Sequence, residues 1–256
     1  KKYNLQYILD DGFVTIDEIK DLKGKLPKGT YALTYGNLPW AFMSLLYGAG
    51  GTLENDMDDL TKDVWRKPME KLKEAYDAGV IAPMDVDGEQ AFGSGKAVFA
   101  QLGSWAQGNM SNTLGADKIA EANTLQYSAD NPVNFFYQCN WMQLKDPHRS
   151  AAKSAAAADF VKYVYEHWMD WSEVGSISPA YRDLNNPEYQ KLIQASFTNS
   201  KKERDYIKTS NYLYGGYATA GWGTYNDIVY GNVGLEEGLK TLDLMAQGQI
   251  EIQEES

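Results

Sequence analysis

Strands that alternate with helices constrain the fold of this chain more than any other feature of its sequence. The segments 30–35 ("TYALTY") and 96–102 ("KAVFAQL") have the short, apolar character of strands. Between them, from about residue 60 to residue 78, apolar side chains recur at helical spacing until Gly79 ends the helix: Trp65, Met69, Leu72 and Tyr76. Because such alternation is typical of layered α/β structures, the sequence predicts an α/β architecture with more helix than strand.

Several helix starts carry capping signals. Thr15 followed by Glu18 has the spacing of a capping box, and Asn37 with Pro39 predicts the start of a second helix. Ser150 predicts the start of an alanine-rich helix that continues through 151–171. Its apolar stripe must pack against another surface: Phe160, Val164, Trp168 and Trp171. The segment 134–145 ("NFFYQCNWMQLK") alternates like a strand.

Composition excludes several classes of protein. With 256 residues, 43% of them hydrophobic, the chain can bury a sizeable core as one domain or two lobes. A formal net charge of -11 argues against a nucleic-acid partner, which needs clustered basic residues. Cys139 is the single cysteine, so the chain forms no internal disulfide and lacks paired-cysteine metal motifs. No apolar run is long enough to span a membrane, and the first residues lack the pattern of a signal peptide.

Motif-like segments predict neither a cofactor nor a metal. "GSGKA" (93–97) fails as a phosphate-binding loop, because Gln90 replaces its first glycine and Ala97 its hydroxyl, and it is interpreted as a helix end before a strand. "SAAK" (150–153) lacks the companion motifs of serine acyl-transferases. The acidic runs 54–59 and 85–89 do not match a calcium loop. Composition alone leaves open a carboxylate pair for glycoside hydrolysis, although no pair is marked by its placement.

Tryptophans beside small polar residues are the strongest functional signal. Trp40, Trp105 and Trp222 lie in "NLPWAF", "LGSWAQGN" and "TAGWGTYND", each at a predicted helix start or glycine-rich break that can display the ring. Trp65 and Trp168 instead lie in apolar stripes typical of a core. Flat rings suit the C–H face of a sugar, and amide or hydroxyl side chains suit its rim. The sequence therefore predicts a carbohydrate-binding protein.

Longer segments, in the same order along the chain, extend this hypothesis to a family. The runs 40–51 ("WAFMSLLYGAGG"), 69–83 ("MEKLKEAYDAGVIAP") and 88–110 ("GEQAFGSGKAVFAQLGSWAQGNM") resemble the extracellular solute-binding proteins of carbohydrate ABC importers, the maltodextrin-binding-protein-like family 1. The later passage 154–184 is similar to an alanine-rich helix followed by G-x-x-P-x-R in that family. The resemblance implies a periplasmic-binding-protein-like (type II) α/β fold and a protein that is not an enzyme and uses no cofactor.

The resemblance also implies how the chain divides. Segments 1–139 and 183–256 are expected to form the two parts of a C-terminal lobe, with 140–182 as a hinge-crossing segment that belongs to the N-terminal lobe. Most of that N-terminal lobe, the signal peptide and the lipidated cysteine typical of the family are expected outside this sequence. The protein is expected to be extracellular or periplasmic, and to touch the membrane only through that anchor and its permease.

In such receptors a sugar or oligosaccharide binds between two lobes that close by hinge bending, and the permease subunits recognise the closed form. Family position implies that Trp40, Trp105 and Trp222 are stacking platforms. It implies polar contacts to the ligand from four further residues: Asn37, Gln138, Asn140 and Asn226. An extracellular carbohydrate-active enzyme and a lectin-like module that binds without closing are the alternatives.

Overall fold

The computed structural model of the chain divides into two compact units. It describes residues 5, 11–35, 38–134, 143–174, 185–193, 195 and 223–255, and of residues 38–40 and 253 it describes the backbone alone. Unit 1 comprises residues 1–102, 122–136 and 200–256, and unit 2 comprises residues 103–121 and 137–199. The assignment of 1–139, 140–182 and 183–256 to two lobes stays a prediction.

The described part of unit 1 contains two strands and most of the described helices. In chain order they are α1 (Ile16–Lys20), β1 (Tyr31–Tyr35), α2 (Leu38–Gly48), α3 (Leu53–Asp56), α4 (Asp63–Asp77), α5 (Gly88–Gly93), β2 (Ala97–Gln101), a helix over 223–229 and the C-terminal helix Leu235–Glu254. The predicted strands at 30–35 and 96–102 and the predicted helices around them are confirmed. None of the described helices is long and apolar enough to cross a membrane.

The two strands pair in parallel. Their register runs from Tyr31 opposite Ala97 to Tyr35 opposite Gln101. A further parallel bridge joins Leu33 to Ile81, where Ala82 N donates to Leu33 O at 2.9 Å. The carboxyl ends of β1 and β2 therefore meet at one edge of the sheet, which is where ligands bind in open α/β sheets.

Local signals explain where the first helices begin and end. Glu18 N donates to Thr15 Oγ1 at 3.2 Å and Thr15 N donates to Glu18 Oε2 at 2.8 Å, so the predicted capping box is confirmed. After α4 the backbone of Gly79 turns into the left-handed region, with φ of 77°. Glycine adopts this conformation without steric cost, so the helix ends there.

The core of unit 1 lies between α2, α4 and the C-terminal helix. Trp65 is fully buried and stacks on Phe42, with ring centroids 6.0 Å apart, and Tyr225 packs on the same Phe42 ring at 5.0 Å. Leu239 and Leu242 of the C-terminal helix belong to the same cluster. Since complete burial of one such side chain stabilises a fold by about 1.5–3 kcal/mol, this cluster dominates the stability of unit 1.

Gln126 ties the segment 122–134 to the start of the chain. Its backbone accepts from Ile16 N at 3.0 Å and donates to Val14 O at 2.8 Å. Its side chain is completely buried, donates to Thr124 O at 2.6 Å and accepts from Val133 N at 2.6 Å. One amide group thus satisfies two backbone groups in the core.

Unit 2 is helical where it is described. It contains the 3₁₀ turn Ser104–Ala106, α6 (Gln107–Leu114), α7 (Ala151–Glu166), α8 (Trp168–Glu173) and the 3₁₀ turn Tyr189–Lys191. Ser150 caps α7 as predicted, because its hydroxyl accepts from Lys153 N at 3.3 Å. Residues 135–142 of the strand predicted at 134–145 lie outside the described residues, and residues 134 and 143–145 at its two ends are not in a strand.

The single helix predicted over 151–171 is wrong, because the chain leaves helical geometry at His167. The φ and ψ of His167 are -102° and 32°. Its Nδ1 lies 2.8 Å from Tyr163 O, and its ring stacks on that of Tyr163 at 3.8 Å. A histidine side chain can satisfy a carbonyl in the last turn of a helix, so α7 ends here without glycine or proline.

The apolar stripe predicted on this helix is only partly buried. Trp168 is buried and packs on Tyr189, with ring centroids 5.6 Å apart, as predicted for a core residue. Phe160 and Trp171 are instead 53% and 40% exposed. Unit 2 therefore has a small core around Trp168 and leaves much of α7 accessible.

Candidate functional site

A polar pocket lies at the carboxyl end of β1 in unit 1. Its cavity volume is about 60 Å³. Its walls come from the end of β1, the segment 82–88 and the helical region 223–230: Thr34, Tyr35, Ala82, Pro83, Met84, Val86, Gly88, Asn226 and Tyr230. A volume of this size admits a few ordered waters or one small polar group of a ligand, because a single water needs about 10–15 Å³.

Three elements position the polar walls of this pocket. Thr34 and Tyr35 are the last residues of β1, and Thr34 Oγ1 lies 3.5 Å from Gly88 O at the start of α5. A Cβ atom at Gly88 would stand 3.2 Å from Thr34 Oγ1, so glycine allows this close approach. Asn226 and Tyr230 lie one helical turn apart, with Tyr230 N donating to Asn226 O at 2.9 Å.

The phenol groups near the pocket stay protonated at neutral pH. Burial raises the pKa of Tyr35 far above its ordinary value, and the neighbouring Tyr230 raises it further. Burial, and then Tyr76, raise the pKa of Tyr230 to about 12. The Tyr76 and Tyr230 rings pack edge to face at 4.9 Å. Each hydroxyl is therefore available as a neutral donor and acceptor.

Tyr35 contributes a buried hydroxyl to this region. The side chain is 5% exposed, and its oxygen has no hydrogen-bond partner in the part of the chain that the structure describes. Leaving a buried hydroxyl unpaired costs about 1–3 kcal/mol. Tyr35 lines the pocket, and a ligand group could recover that cost only if it reached this buried oxygen.

Trp105 lies in unit 2, shortly after β2 ends at Gln101. It occupies the 3₁₀ turn Ser104–Ala106, and its side chain is 60% exposed. Ala106 and Met110, which follow it, are buried. The turn is therefore anchored by its neighbours while the indole remains accessible, an arrangement that suits a stacking surface.

The other predicted binding residues are less fully described. Trp40 lies in the first turn of α2, where the structure describes its backbone alone. Four residues lie outside the described residues: Asn37, Gln138, Asn140 and Trp222. Of the seven predicted contacts, the structure thus places Asn226 at the pocket and Trp105 on an exposed turn.

Sequence reasoning missed Thr34, Tyr35 and Tyr230 as pocket residues. The first two were interpreted only as part of a strand, although the end of a parallel strand is the usual place for ligand contacts. Tyr230 follows Asn226 at helical spacing and so shares its side of the helix. Both signals were present in the sequence, but neither links positions 35 and 226, which the fold brings together.

The acidic runs serve local structure. Lys62 forms ion pairs with Asp58 and, at 3.6 Å, with Asp56, and its hydrogen bond lowers the pKa of the exposed Asp58 carboxyl. Asp87 caps α5 by accepting from Gln90 N at 2.8 Å. Within the described ranges, no group of three or more His, Cys, Asp or Glu side chains is placed to hold a metal ion.

The sequence matches a known family over most of its length. Residues 3–197 match the profile of the bacterial extracellular solute-binding proteins, and the chain belongs to that family. A search among curated protein sequences returns no match.

Solved structures of solute-binding proteins share the fold. The maltose/maltodextrin-binding domain MalE from Bdellovibrio bacteriovorus, bound to maltotriose, matches with a TM-score of 0.68 at 14% identity. The match covers 97% of this chain and 69% of the MalE chain. A cyclic alpha-maltosyl-1,6-maltose binding protein from Arthrobacter globiformis has a TM-score of 0.62 at 16% identity, covering 97% and 68%. An ABC transporter solute-binding protein from Thermotoga lettingae, bound with alpha-D-tagatose, has a TM-score of 0.66 at 17% identity, covering 94% and 66%.

These comparisons confirm the periplasmic-binding-protein-like α/β fold. The chain spans about two thirds of the length of these structures. The family is one of solute-binding proteins rather than enzymes, and its members act outside the cytoplasm.

Proposed function

We propose that this chain is part of the substrate-binding component of an ABC importer, which captures a sugar or oligosaccharide and delivers it to the membrane permease. The observation that carries the proposal is Trp105, an accessible indole on an anchored turn that follows a strand of the sheet. One face of an indole matches the C–H face of a sugar ring, and burying it supplies binding free energy without any charge. The sugar hydroxyls then need polar partners.

The pocket at the end of β1 in unit 1 supports a hydroxylated ligand on its own evidence. Thr34, Asn226 and Tyr230 offer hydroxyl and amide groups around a cavity of about 60 Å³. Such groups discriminate between sugars because an unmatched buried partner costs about 1–3 kcal/mol. The cavity is too small for a whole pyranose and suits one hydroxyl or hydroxymethyl group.

Proteins of the same fold support the choice of ligand class. Those three structures are bound to, or named for, maltotriose, tagatose and a cyclic maltosyl-maltose. The GacH receptor of Streptomyces glaucescens, which matches the fold with a TM-score of 0.65 at 17% identity, is solved in complex with acarbose. We infer a carbohydrate for this chain from that set and from its displayed tryptophan. Delivery to a permease, and a lipid anchor encoded outside this sequence, belong to the same proposal.

Calorimetry with maltotriose, D-tagatose and acarbose tests the proposal, with amino acids as the non-sugar panel. We expect at least one sugar to bind, and Trp105→Ala to weaken that binding by about 1–3 kcal/mol because a stacked aromatic face is lost. Thermal stability should stay nearly unchanged, since the side chain is exposed. Trp171→Ala is the matched control, because it removes another accessible tryptophan of unit 2 and should leave affinity unchanged.

Other results would point elsewhere. Binding of an amino acid but no sugar would contradict the ligand class. Turnover of the sugar on prolonged incubation would indicate a carbohydrate-active enzyme, and unchanged solution scattering on sugar binding would indicate a lectin-like module. A stability loss of about 3–5 kcal/mol in Trp105→Ala would show that the ring is structural.

A second prediction concerns the pocket. Tyr35→Phe removes only a hydroxyl that is buried without a described partner, so the free energy of unfolding should be unchanged or higher. If the ligand uses that hydroxyl, sugar binding should weaken by about 0.5–1.5 kcal/mol. Tyr225→Phe is the matched control, because Tyr225 is buried in the same unit but does not line the pocket. Equal affinity in wild type and Tyr35→Phe would remove Tyr35 from the site.

A further inference from the structure

Gly103 lies directly beneath the Trp105 ring. A Cβ atom built on Gly103 would overlap with three consecutive atoms of the benzene half of the indole, Cε3, Cζ3 and Cη2. Overlap with three neighbouring ring atoms means that the ring covers the glycine Cα. One part of the indole therefore rests on the backbone, while the side chain as a whole keeps 60% of its surface accessible.

The backbone conformation does not explain why this position holds glycine. Gly103 has φ of -84° and ψ of 163°, an extended conformation that any residue adopts. Gly103 is the N-cap residue of the 3₁₀ turn. Because glycine has no side chain, it makes no side-chain capping hydrogen bond. The reason for glycine here is therefore steric, because the side chain of any larger residue would clash with the Trp105 ring.

We propose that Gly103 is a positioning residue for ligand binding, which holds the Trp105 indole in the orientation that presents its free face to the ligand. The inference rests on the proposed role of Trp105 as a stacking surface. A methyl group at position 103 would displace the ring from the backbone. The ring would then have to adopt another rotamer, at a cost that sets the loss of affinity.

The orientation of a stacking ring matters because binding by an aromatic face is directional. A displaced indole would still be present and accessible, but its face would no longer match the plane of the bound sugar ring. Gly103→Ala should therefore reduce affinity through Trp105 alone and should leave the fold intact. This distinguishes a positioning role from a general effect of the turn.

A double-mutant cycle in the full protein chain tests the proposal, using whichever of maltotriose, D-tagatose or acarbose binds the wild type. Gly103→Ala should weaken binding by about three- to tenfold. In the Trp105→Ala background the same substitution should change affinity by less than about twofold, because the ring it displaces is gone. The Trp105 indole N–H resonance, assigned by its loss in Trp105→Ala, should shift in Gly103→Ala without any sugar.

Gly234→Ala is the matched control. Gly234 is also an extended N-cap glycine, with φ of -65° and ψ of 147°, but no atom lies within 4 Å of its added Cβ. It should report the general cost of alanine at a helix N-cap and leave the indole resonance of Trp105 unmoved.

The outcomes separate this inference from the function on which it rests. If the wild type binds none of the sugars, the proposed function is overturned. A shifted indole resonance in Gly103→Ala would still show that Gly103 sets the position of the Trp105 ring. Sugar binding by wild type with equal affinity in Gly103→Ala would overturn the positioning role. An equal loss of affinity with and without Trp105 would overturn it as well.

Discussion

Trp65→Ala should lower the free energy of unfolding by about 3–5 kcal/mol, the cost of truncating a large aromatic residue in a packed core. Trp65 is completely buried and stacks on Phe42. Its Nε1 also donates to Asp56 O at 2.8 Å, so the substitution leaves a cavity and removes the partner of a backbone carbonyl. Urea unfolding followed by far-UV circular dichroism measures the loss.

Trp65→Phe separates the two contributions. Phenylalanine keeps a ring against Phe42 but loses the hydrogen bond to Asp56, so it should cost less than alanine. The exposed Trp105→Ala should cost little stability by comparison. A Trp65→Ala loss below about 1 kcal/mol would contradict the core assignment, because such values are typical of surface substitutions.

Gln126→Leu should lower the free energy of unfolding by about 2–4 kcal/mol. Leucine fills much of the same space but leaves Val133 N without its acceptor and Thr124 O without its donor, and each unpaired buried group costs about 1–3 kcal/mol. Hydrogen exchange should also show faster exchange of the Val133 amide. That local readout distinguishes lost hydrogen bonds from poor packing.

Gln90→Leu is the control for this substitution. Gln90 is exposed on α5, so the same chemical change there should alter stability by no more than about 0.5 kcal/mol. If Gln126→Leu behaves like Gln90→Leu, the side chain of Gln126 does not support the core.

Local signals in the sequence predicted the secondary structure of unit 1 well. The Thr15 capping box and the helical spacing of Trp65, Met69 and Leu72 depend on residues within one or two turns of each other. Short-range patterns of this kind can be read without knowing the fold. The break at His167 was missed because it comes from one side chain reaching a carbonyl, with no glycine or proline to mark it.

The candidate site was only partly predictable for the opposite reason. Trp105 and Asn226 were predicted from their local surroundings and from family position. Tyr35 could not be joined to Asn226, because their contact with one pocket depends on packing between the start and the end of the chain. The packing of the Trp105 ring on Gly103 could not be predicted from the sequence either, because a glycine beside a serine in a turn has many structural explanations.

The core of unit 1 also has a consequence for how this protein is made. Trp65 and Leu72 of α4 share their cluster with Leu239 and Leu242 of the C-terminal helix, and Leu60 N donates to Asp243 Oδ1 at 3.0 Å. Contacts of such long sequence separation slow folding, because a large loop must close before they form. A ribosome that has translated α4 must add many more residues before its apolar face can be covered. The apolar face of α4 therefore stays open to chaperones at least until the helix Leu235–Glu254 has been translated.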